Sequence, residues 1–495
     1  MPNTFFQRVL LVILVFSLIP VVALRHSKQD AVQVLSSIEP IPGVLITVPP
    51  QQPLVARVST DNAAKNVIYQ QSLALHVPEP GDDQSGSLYD TDIQLPSANP
   101  RSASVLLGAL HRKAAAAAAA DPANDNAANS VDQPHGYENI TGDHGLQYTI
   151  PVSIDNVTIL DLLVDTATAD LWAVAPGAQC LNVYGWDVNF TECQFGSTFP
   201  KDLTFSYGYI PNQHLFMQYP DGEMASGTVG YSDIEVGGIT VLKQEIGLVN
   251  RTYWIGNKVA SGVVGLGYPT LSHIYRDNET DWLHRVTYPT LFTSMVDQGL
   301  VEEPMFGIAL GRNGTTGVIS WGGMPDVPGL KSASQSYVPI LVTQLNDDPF
   351  TVDHPSFYTI VPDGFKYGSA KDTSNHPYII DAGTPINYLP RRLAEAINKS
   401  FAPTAEYNTE HGRYYTNCDA TPPAFSVMIG GSNFIVNPAD MIIRDRPDPH
   451  TLLCPTTISL GGTGPYILGA AFLNNVAVGF DVQAAELTFV SRPFY

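Results

Sequence analysis

The chain has 495 residues, of which 44% are hydrophobic and 15% charged, a balance that is typical of folded proteins and excludes wholesale disorder. Its length exceeds what one small core requires, so a two-lobed body or several domains are expected. The net charge of −22 argues against nucleic acid as a partner, because phosphates are neutralised by basic groups.

The first 23 residues have the pattern of a secretory signal peptide. Arg8 supplies the positive charge, residues 9–24 are almost wholly apolar, and Val21, Val22 and Ala23 offer a small-residue cleavage site. An uncleaved anchor is the alternative, but the apolar run is shorter than the roughly 20 residues that a spanning helix needs. Cleavage is favoured, and no stable membrane insertion is expected after it.

The asparagine and cysteine content agrees with secretion. One close pair of cysteines lies in each half, Cys180 with Cys193 and Cys418 with Cys454. In an oxidising compartment these spacings predict two local disulfides, although four cysteines permit three pairings. Zinc is the rival, but neither a C-x-x-C spacing nor a histidine cluster is present, so no metal or other cofactor is expected. Seven Asn-x-Ser/Thr sequons begin at Asn139, Asn156, Asn189, Asn250, Asn278, Asn313 and Asn398.

Residues 24–140 differ in texture from the rest of the chain. They contain PIPGVLITVPPQQP, VPEPGDDQSGS, seven successive alanines at 114–120 and DPANDNAANS. Such low-complexity material buries little apolar surface, which predicts a prosegment or tether. Whether it inhibits, assists folding or only tethers is open.

From about residue 145 the pattern predicts an all-β body. Runs rich in Val, Ile, Thr, Tyr and Phe recur every 8–12 residues between turn residues. The predicted strands include LQYTIPVSI, LTFSY, GTVGYSDIEV, KQEIGLV, MFGIAL, GVISWGG, FSVMI and AVGFDV. Two helices are predicted, TLFTSMVDQGL and RRLAEAINKSF, the second with Leu393, Ala396, Ile397 and Phe401 on one face.

Two segments 216 positions apart resemble each other: LLVDTATADLW around Asp165 and YIIDAGTPINYLP around Asp381. Each places a carboxylate directly after an apolar run, where burying an unpaired charge is costly. GVVGLG follows the first aspartate and YILGAAF the second, with Gly265 and Gly469 in matching places. We interpret this as one folding unit used twice, with a cleft where the two Asp loops face each other. The alternative is that each aspartate is a structural turn residue at the end of a strand, without a catalytic role.

Two aspartates within hydrogen-bonding distance cannot both ionise cheaply, so the pair shares one proton. The ionised partner then polarises a water while the protonated one donates to a carbonyl oxygen. This chemistry hydrolyses an amide without a metal or a covalent intermediate. The hydroxyls of Thr166, Thr168 and Thr384 are candidates to orient the carboxylates.

From about residue 145 to Tyr495 the chain resembles the pepsin-like aspartic proteases, in secreted fungal form. The Asp165 segment, with its trailing Asp170, Leu171 and Trp172, is similar to the first family motif, and the Asp381 segment to the second. GVVGLGYP, MFGIALGR, GVISWGGM and YILGAAFLNNVAVGFD have family counterparts in the same order. The resemblance implies a bilobal fold and a flap hairpin in MQYPDGEMASGTV, in which the Tyr219 hydroxyl pairs with the Trp172 indole and Asp221 faces substrate. It also implies the two disulfides. Tyr219 as an ordinary strand aromatic, and Trp172 as a core residue, are the alternatives.

The chain departs from the family pattern at two places. Ala167 stands where the family has Gly, and Ala382 stands where it has Thr or Ser, whereas Gly383 is usual. In the family each loop's Thr hydroxyl grips the opposite loop, so Thr166 keeps one side and Ala382 cannot supply the other. The Ala167 methyl requires that the loop keep a negative φ. Pro220 beside the flap tyrosine stiffens the hairpin.

These observations predict an aspartic endopeptidase that hydrolyses peptide bonds in acid, with Asp165 and Asp381 as its catalytic pair. The alternative is a weak or inactive relative that binds peptides or glycans in the cleft. The predicted divisions are a signal peptide (1–23), a prosegment or tether (24–140), an N-terminal lobe with the flap (141–330) and a C-terminal lobe (331–495). Protein or peptide substrates, a monomeric state, and secretion or an acidic vacuole-like compartment are expected.

Overall fold

The structure is a computed structural model that describes residues 11–13, 136–143, 147–200, 204–219, 222–311, 317–328, 330, 334–341, 343–345, 354–409, 411–462 and 466–493. Residues 78–133, a separate unit of the chain, lie wholly outside this part, as do nearly all of the predicted signal peptide and tether.

Strands dominate the described residues, and the predicted all-β class is confirmed. The first strands are β1 (Leu11–Ile13), β2 (Gly136–Asp143), β3 (Gln147–Ile154), β4 (Thr158–Asp165), β5 (Leu171–Leu181), β6 (Asp187–Val188), β7 (Tyr209–Gln218), β8 (Met224–Val236), β9 (Ile239–Tyr253), β10 (Gly262–Gly265), β11 (Ile274–Arg276), β12 (Arg285–Val286), β13 (Met305–Ala309), β14 (Gly317–Trp321) and β15 (Gln335–Pro339). The others are β16 (Thr343–Leu345), β17 (Thr359–Ile360), β18 (Gly364–Tyr367), β19 (Ala370–Asp372), β20 (Tyr378–Ile380), β21 (Asn387–Leu389), β22 (Glu406–Asn408), β23 (Arg413–Thr416), β24 (Phe425–Ile429), β25 (Ser432–Val436), β26 (Cys454–Pro455), β27 (Ile458–Leu460), β28 (Tyr466–Leu468), β29 (Val476–Asp481) and β30 (Glu486–Ser491).

Helices are few and short in the described part. They are α1 (Leu291–Asp297), α2 (Arg391–Lys399) and α3 (Ala470–Leu473), and the two predicted helices correspond to α1 and α2. The buried face of α2 holds Leu393, Ala394, Ile397 and Asn398. Of the other two residues predicted on one face, Phe401 is buried and Ala396 is half-buried. Among the described residues no helix has the length and apolar character needed to span a bilayer.

One predicted strand is wrong. In the LTFSY segment, residues 204–208 form a turn and not a strand. Phe205 is buried, and a β-carbon placed at Gly230 would lie 2.2 Å from its ring, so the ring fills space that a glycine leaves open. The Gly208 N–H donates to the Phe205 carbonyl over 2.9 Å and closes the turn. A core contact with a distant glycine therefore overrides the local β preference.

A sixteen-stranded sheet links the first half of the chain to its C-terminus. Its order is β12-β11-β7-β8-β9-β5-β10-β4-β3-β2-β14-β13-β29-β30-β15, with β6 on β5. Strand β2 pairs with both β3 and β14, so the sheet begins at Gly136, within the range predicted as tether. The remaining sheets are β17-β20-β28-β21-β27, β19-β18-β24-β25, β22-β23-β26 and the pair β1-β16.

The local arrangement around each aspartate is repeated in the two halves. Strand β4 pairs in parallel with β10, which sets Asp165 opposite Gly265, and β10 pairs antiparallel with β5. Strand β20 likewise pairs in parallel with β28, which sets Ile380 opposite Leu468, and β28 pairs antiparallel with β21. The two aspartates therefore lie at the ends of equivalent strands.

Each half holds one disulfide, as predicted. Cys180 is bonded to Cys193 and Cys418 to Cys454. The first joins β5 to the short 3-10 turn Phe190–Cys193, and the second brings Cys418 to strand β26.

The fold separates the sequons by accessibility. Asn398 is fully buried on α2, where its Nδ2 donates to the carbonyls of Ala394 and Ile458 over 2.9 and 3.1 Å and its Oδ1 accepts from the Thr456 hydroxyl. A glycan on that nitrogen would have no room and would remove a donor from a buried network. The exposed sequon asparagines are Asn156, Asn189, Asn250 and Asn278.

We predict that secreted, folded protein carries no glycan at Asn398. Glycopeptide mass spectrometry of material made in a eukaryotic secretion host should find the Asn398 peptide unmodified, while the four exposed sequons in the same digest serve as positive controls. A glycan found at Asn398 in soluble protein would contradict the described packing of α2.

Candidate active site

Asp165 and Asp381 are held by the same turn in the two halves. Asp165 is the last residue of β4, and its Oδ1 accepts the N–H of Ala167 over 2.7 Å. Asp381 follows β20, and its Oδ1 accepts the N–H of Gly383 over 2.8 Å. In each loop a backbone donor two residues along the chain fixes the orientation of the carboxylate.

Thr166 ties the two Asp loops together. Its hydroxyl donates to the carbonyl of Ile380 over 2.9 Å and accepts the N–H of Ala382 over 3.0 Å. All three residues are buried, so both bonds are shielded from water. Ala382, only 1% exposed, has no hydroxyl to return, and the Thr166 N–H has no protein acceptor within the described residues. The grip between the loops is therefore one-sided.

Gly383 brings the second loop against the first carboxylate. A β-carbon placed at Gly383 would lie 2.6 Å from Cγ of Asp165 and 2.9 Å from each of its oxygens. No side chain fits at that distance without moving the carboxylate. The loop that carries Asp381 thus passes directly beside Asp165, and only glycine permits this approach.

Ala167 occupies the matching position in the first loop. Its φ lies outside the positive region that favours glycine, so its methyl group does not strain the backbone. The condition that the sequence imposed on this substitution is met, and the Ala167 N–H keeps its bond to Asp165.

The two flanking threonines differ in their contacts. The Thr384 hydroxyl donates to Oδ2 of Asp381 over 2.5 Å. Thr168 lies close enough to Asp165 to lower its pKa, but its buried hydroxyl makes no hydrogen bond of ordinary geometry among the described residues. Asp381 is therefore held by a side-chain donor and a backbone donor, whereas the measured bond to Asp165 comes from the backbone.

Burial controls the charge of this pair. Loss of solvent contact, and then the charge of Asp381, raise the pKa of Asp165, although the Ala167 N–H opposes the shift. Burial also raises the pKa of Asp381, against the hydroxyl of Thr384 and the N–H of Gly383. Because neither carboxyl group ionises freely beside the other, the two hold one proton between them in weak acid.

The hairpin of β7 and β8 carries Tyr219 toward this pair. The Tyr219 N–H donates to the Glu223 carbonyl over 2.8 Å and the Gly222 N–H donates to the Tyr219 carbonyl over 3.0 Å, which closes the turn. Nε1 of the buried Trp172 donates to the Tyr219 hydroxyl over 3.3 Å, the contact that the family resemblance implies. Burial and the charge of Asp165 raise the pKa of Tyr219, so its hydroxyl stays protonated. Asp221 and Pro220 lie outside the described residues.

Two residues of this region were not found from the sequence. Trp254 packs edge-on against Trp172 at 5.3 Å and against Tyr219 at 5.7 Å between ring centroids. Glu223 accepts the N–H of Ile255 over 2.5 Å and so ties the hairpin to the same segment. The only sequence signal was an aromatic residue at the end of a strand, which does not specify its partner.

The described residues contain no group of three or more His, Cys, Asp or Glu placed to hold a metal ion.

Comparison with known proteins agrees with this geometry. The family model for eukaryotic aspartyl proteases matches residues 147–491. A probable aspartic-type endopeptidase of Aspergillus fumigatus is 34% identical over 359 residues, which cover 70% of this chain and 79% of the relative. Rhizopuspepsin-2 of Rhizopus niveus is 30% identical over 346 residues, covering 68% and 76%.

A solved structure shows the same fold. The aspartic proteinase from Irpex lacteus aligns with a TM-score of 0.55 at 18% identity, over 72% of this chain and 98% of that protein. The predicted pepsin-like, bilobal β-rich architecture is thereby confirmed. From the family match over most of the folded part, the chain belongs to the eukaryotic aspartyl proteases and is an aspartic endopeptidase that hydrolyses peptide bonds.

Proposed function

We propose that Asp165 and Asp381 are the catalytic pair of this endopeptidase. The observation that carries the proposal is the junction of the two loops: Thr166 bonds to both sides of Asp381, and Gly383 lies against the Asp165 carboxylate. This junction places two buried carboxyl groups with raised pKa values together, as shared-proton chemistry requires.

The reaction then follows from one proton and one water. The ionised carboxylate takes a proton from the water, and the water oxygen attacks the peptide carbonyl carbon. The protonated carboxyl group donates its proton to the carbonyl oxygen. The tetrahedral diol collapses when the carboxyl group that took the water proton passes it to the amide nitrogen, the other carboxylate takes a proton back from a diol hydroxyl, and the C–N bond breaks. The pair ends with one proton again, ready for the next turnover.

The Tyr219 hairpin is the proposed flap over an extended peptide. Its aromatic contacts with Trp172 and Trp254 hold the Tyr219 ring in a fixed place beside the pair. A peptide lying in the cleft pairs its backbone with the hairpin as an added strand. Asp221, which follows Tyr219 by two residues in the sequence, is proposed to contact the substrate. The family resemblance implies apolar side chains beside the scissile bond.

The two substitutions in the Asp loops reduce precision and leave the chemistry in place. Ala167 retains the N–H that orients Asp165, and the loss at Ala382 removes one of two gripping hydroxyls. The comparisons do not favour the alternative of an inactive peptide-binding or glycan-binding relative, since the matching proteins carry protease names.

The setting of the enzyme is proposed from the rest of the sequence. A signal peptide over residues 1–23 and a prosegment or tether over 24–140 precede two lobes, 141–330 and 331–495. Secretion, or delivery to an acidic vacuole-like compartment, fits the fungal relatives. We propose that the enzyme acts as a monomer on protein or peptide substrates.

The first prediction concerns the pair itself. Asp165→Asn or Asp381→Asn removes the shared proton or its acceptor, so kcat should fall by about 10³-fold or more. The measurement is hydrolysis of an unfolded protein at pH 3–5 by processed enzyme, with a statine-type inhibitor to identify the specific activity. Asp277→Asn, on an exposed turn whose positive φ asparagine tolerates, is the matched control. Full activity in Asp165→Asn would contradict the proposed catalytic pair.

The second prediction uses the close approach of Gly383. Gly383→Ala places a methyl carbon 2.6 Å from Cγ of Asp165, so kcat should fall by about tenfold or more while the protein still folds. Ala167→Gly, the equivalent change in the other loop, removes a methyl and should keep activity. If Gly383→Ala is as active as the wild-type chain, the two loops do not meet as described.

The third prediction tests the one-sided grip. Ala382→Thr supplies the missing hydroxyl to the Thr166 N–H, whereas Ala382→Val has a similar shape without it. The Thr variant should exceed the Val variant in free energy of unfolding by about 0.5–1.5 kcal/mol, measured by urea unfolding at pH 4. If the two variants unfold at the same urea concentration, the hydroxyl does not reach its partner.

A further inference from the structure

A second pair of acidic groups lies behind the first Asp loop. Asp170 is five residues beyond Asp165 and is fully buried. Its Oδ2 accepts the N–H of His273 over 2.7 Å and lies 3.2 Å from the ring Nδ1, and its Oδ1 accepts the Ser272 hydroxyl over 3.3 Å. The carboxylate thereby fastens the segment between β10 and β11 to the loop.

The backbone of Asp170 links this fastening to Asp165. The Gly265 N–H donates to the Asp170 carbonyl over 3.1 Å, and a β-carbon at Gly265 would lie 2.6 Å from the Asp170 nitrogen. Gly265 is also the β10 residue that stands opposite Asp165 in the parallel ladder. A displacement of Asp170 therefore moves the strand that supports the proposed catalytic residue.

Glu245 lies beside Asp170 by strand register: β9 pairs in parallel with β5, Gly247 stands opposite Trp172, and each acidic residue lies two positions before that pair. It lies on β9, is only 7% exposed, and its Oε1 has no hydrogen-bond partner within the described residues. Burial, followed by the charge of Asp170, raises the pKa of Glu245 to about 7. In the described part of the chain no Lys or Arg forms an ion pair with Glu245 or Asp170.

The other groups that face Glu245 do not supply a compensating charge. Tyr231 stands opposite on β8, and burial, followed by the charge of Glu245, raises its pKa. Tyr288 approaches from the segment before α1. Burial, followed by the charges of Asp170 and Glu245, raises the pKa of Tyr288, so both phenols stay neutral. Lys243, on the same strand, has its Nζ over the Tyr231 ring at 5.2 Å.

We propose that Glu245 is a positioning residue for the first catalytic loop: its neutral carboxyl group lets Asp170 hold the loop, and its ionisation loosens that support. The proposal rests on the proposed function only in taking Asp165 as catalytic. The loosening itself is a folding event of the β5, β9 and β10 region and is measurable without activity.

The sign of the pH dependence follows from linkage. The ordinary pKa of the glutamate carboxyl is 4.5 and its pKa in the folded chain is about 7, so the folded state binds the proton more tightly. The stabilisation is complete below pH 4.5 and is lost as pH rises toward 7, since the unfolded chain ionises first. Above this window the folded chain holds two buried negative charges side by side.

The test is a pH titration from 4 to 9, followed by near-UV circular dichroism. The quantity measured is the midpoint pH at which half of the native signal is lost. Glu245→Gln keeps the shape of the neutral group and cannot ionise, so this midpoint should rise by about one pH unit. Measured in an Asp165→Asn background, which prevents self-digestion, the shift should be the same. Glu279→Gln, at an exposed glutamate, is the matched control and should leave the midpoint unchanged.

Asp170→Asn gives a second, independent measurement. Asparagine still accepts the His273 N–H through its Oδ1 but carries no charge, so the midpoint should again rise. The double variant should shift less than the sum of the single variants, because both remove the same repulsion. If Glu245→Gln does not fold at pH 4, the midpoint of the Asp170→Asn single variant decides the question.

An activity measurement separates this effect from titration of the catalytic pair. After incubation at pH 7 and return to pH 4, Glu245→Gln should retain several-fold more kcat than the wild-type chain, with KM unchanged. Unchanged midpoints in both Glu245→Gln and Asp170→Asn would overturn the proposal. That outcome would not touch the proposed dyad, which the Asp165→Asn assay tests by itself.

Discussion

The active geometry depends on one hydroxyl group. Thr166 donates to one loop backbone atom and accepts from another across the boundary between the two repeats. Together with the close approach of Gly383 to Asp165, this contact joins the two Asp loops directly. Because the bonds are buried, water does not compete for them, and they convert two separate strand ends into one site. Burial raises the pKa of both carboxyl groups, and the charge of Asp381 raises that of Asp165 further.

The duplication supplies matching backbone frames, and the side chains make the halves unequal. Both carboxylates accept an N–H from two residues along the chain, through Ala167 in one loop and Gly383 in the other. The other contacts differ between the halves. The Thr384 hydroxyl donates to Asp381, and Ala382 has no hydroxyl to match the bonds that Thr166 makes. A repeated frame therefore brings the groups together, while local substitutions decide how firmly each one is held.

The sequence predicted much of this because its signals are local. An aspartate after an apolar run, repeated in matching context, predicted the strand ends, and the family resemblance added the contact between Tyr219 and Trp172. The failures involve contacts between distant segments. The strand predicted around Phe205 is a turn because Gly230 leaves room for the ring, and no local pattern indicates that Glu245 meets Asp170. Trp254 was missed for the same reason, since its partners come from other strands.

Strand β2 has a consequence for how the chain can mature. It lies inside the large sheet, between β3 and β14, and through β14 and β13 it adjoins the strands from the C-terminus. Proteolysis from the N-terminal side that leaves this sheet intact therefore has to stop before Gly136. A cut within 136–143 would remove an interior strand and leave two unpaired edges, which invite pairing with another molecule. The order of the strands, and not a sequence motif, thus sets how far the chain can be shortened from its N-terminal side with the sheet intact.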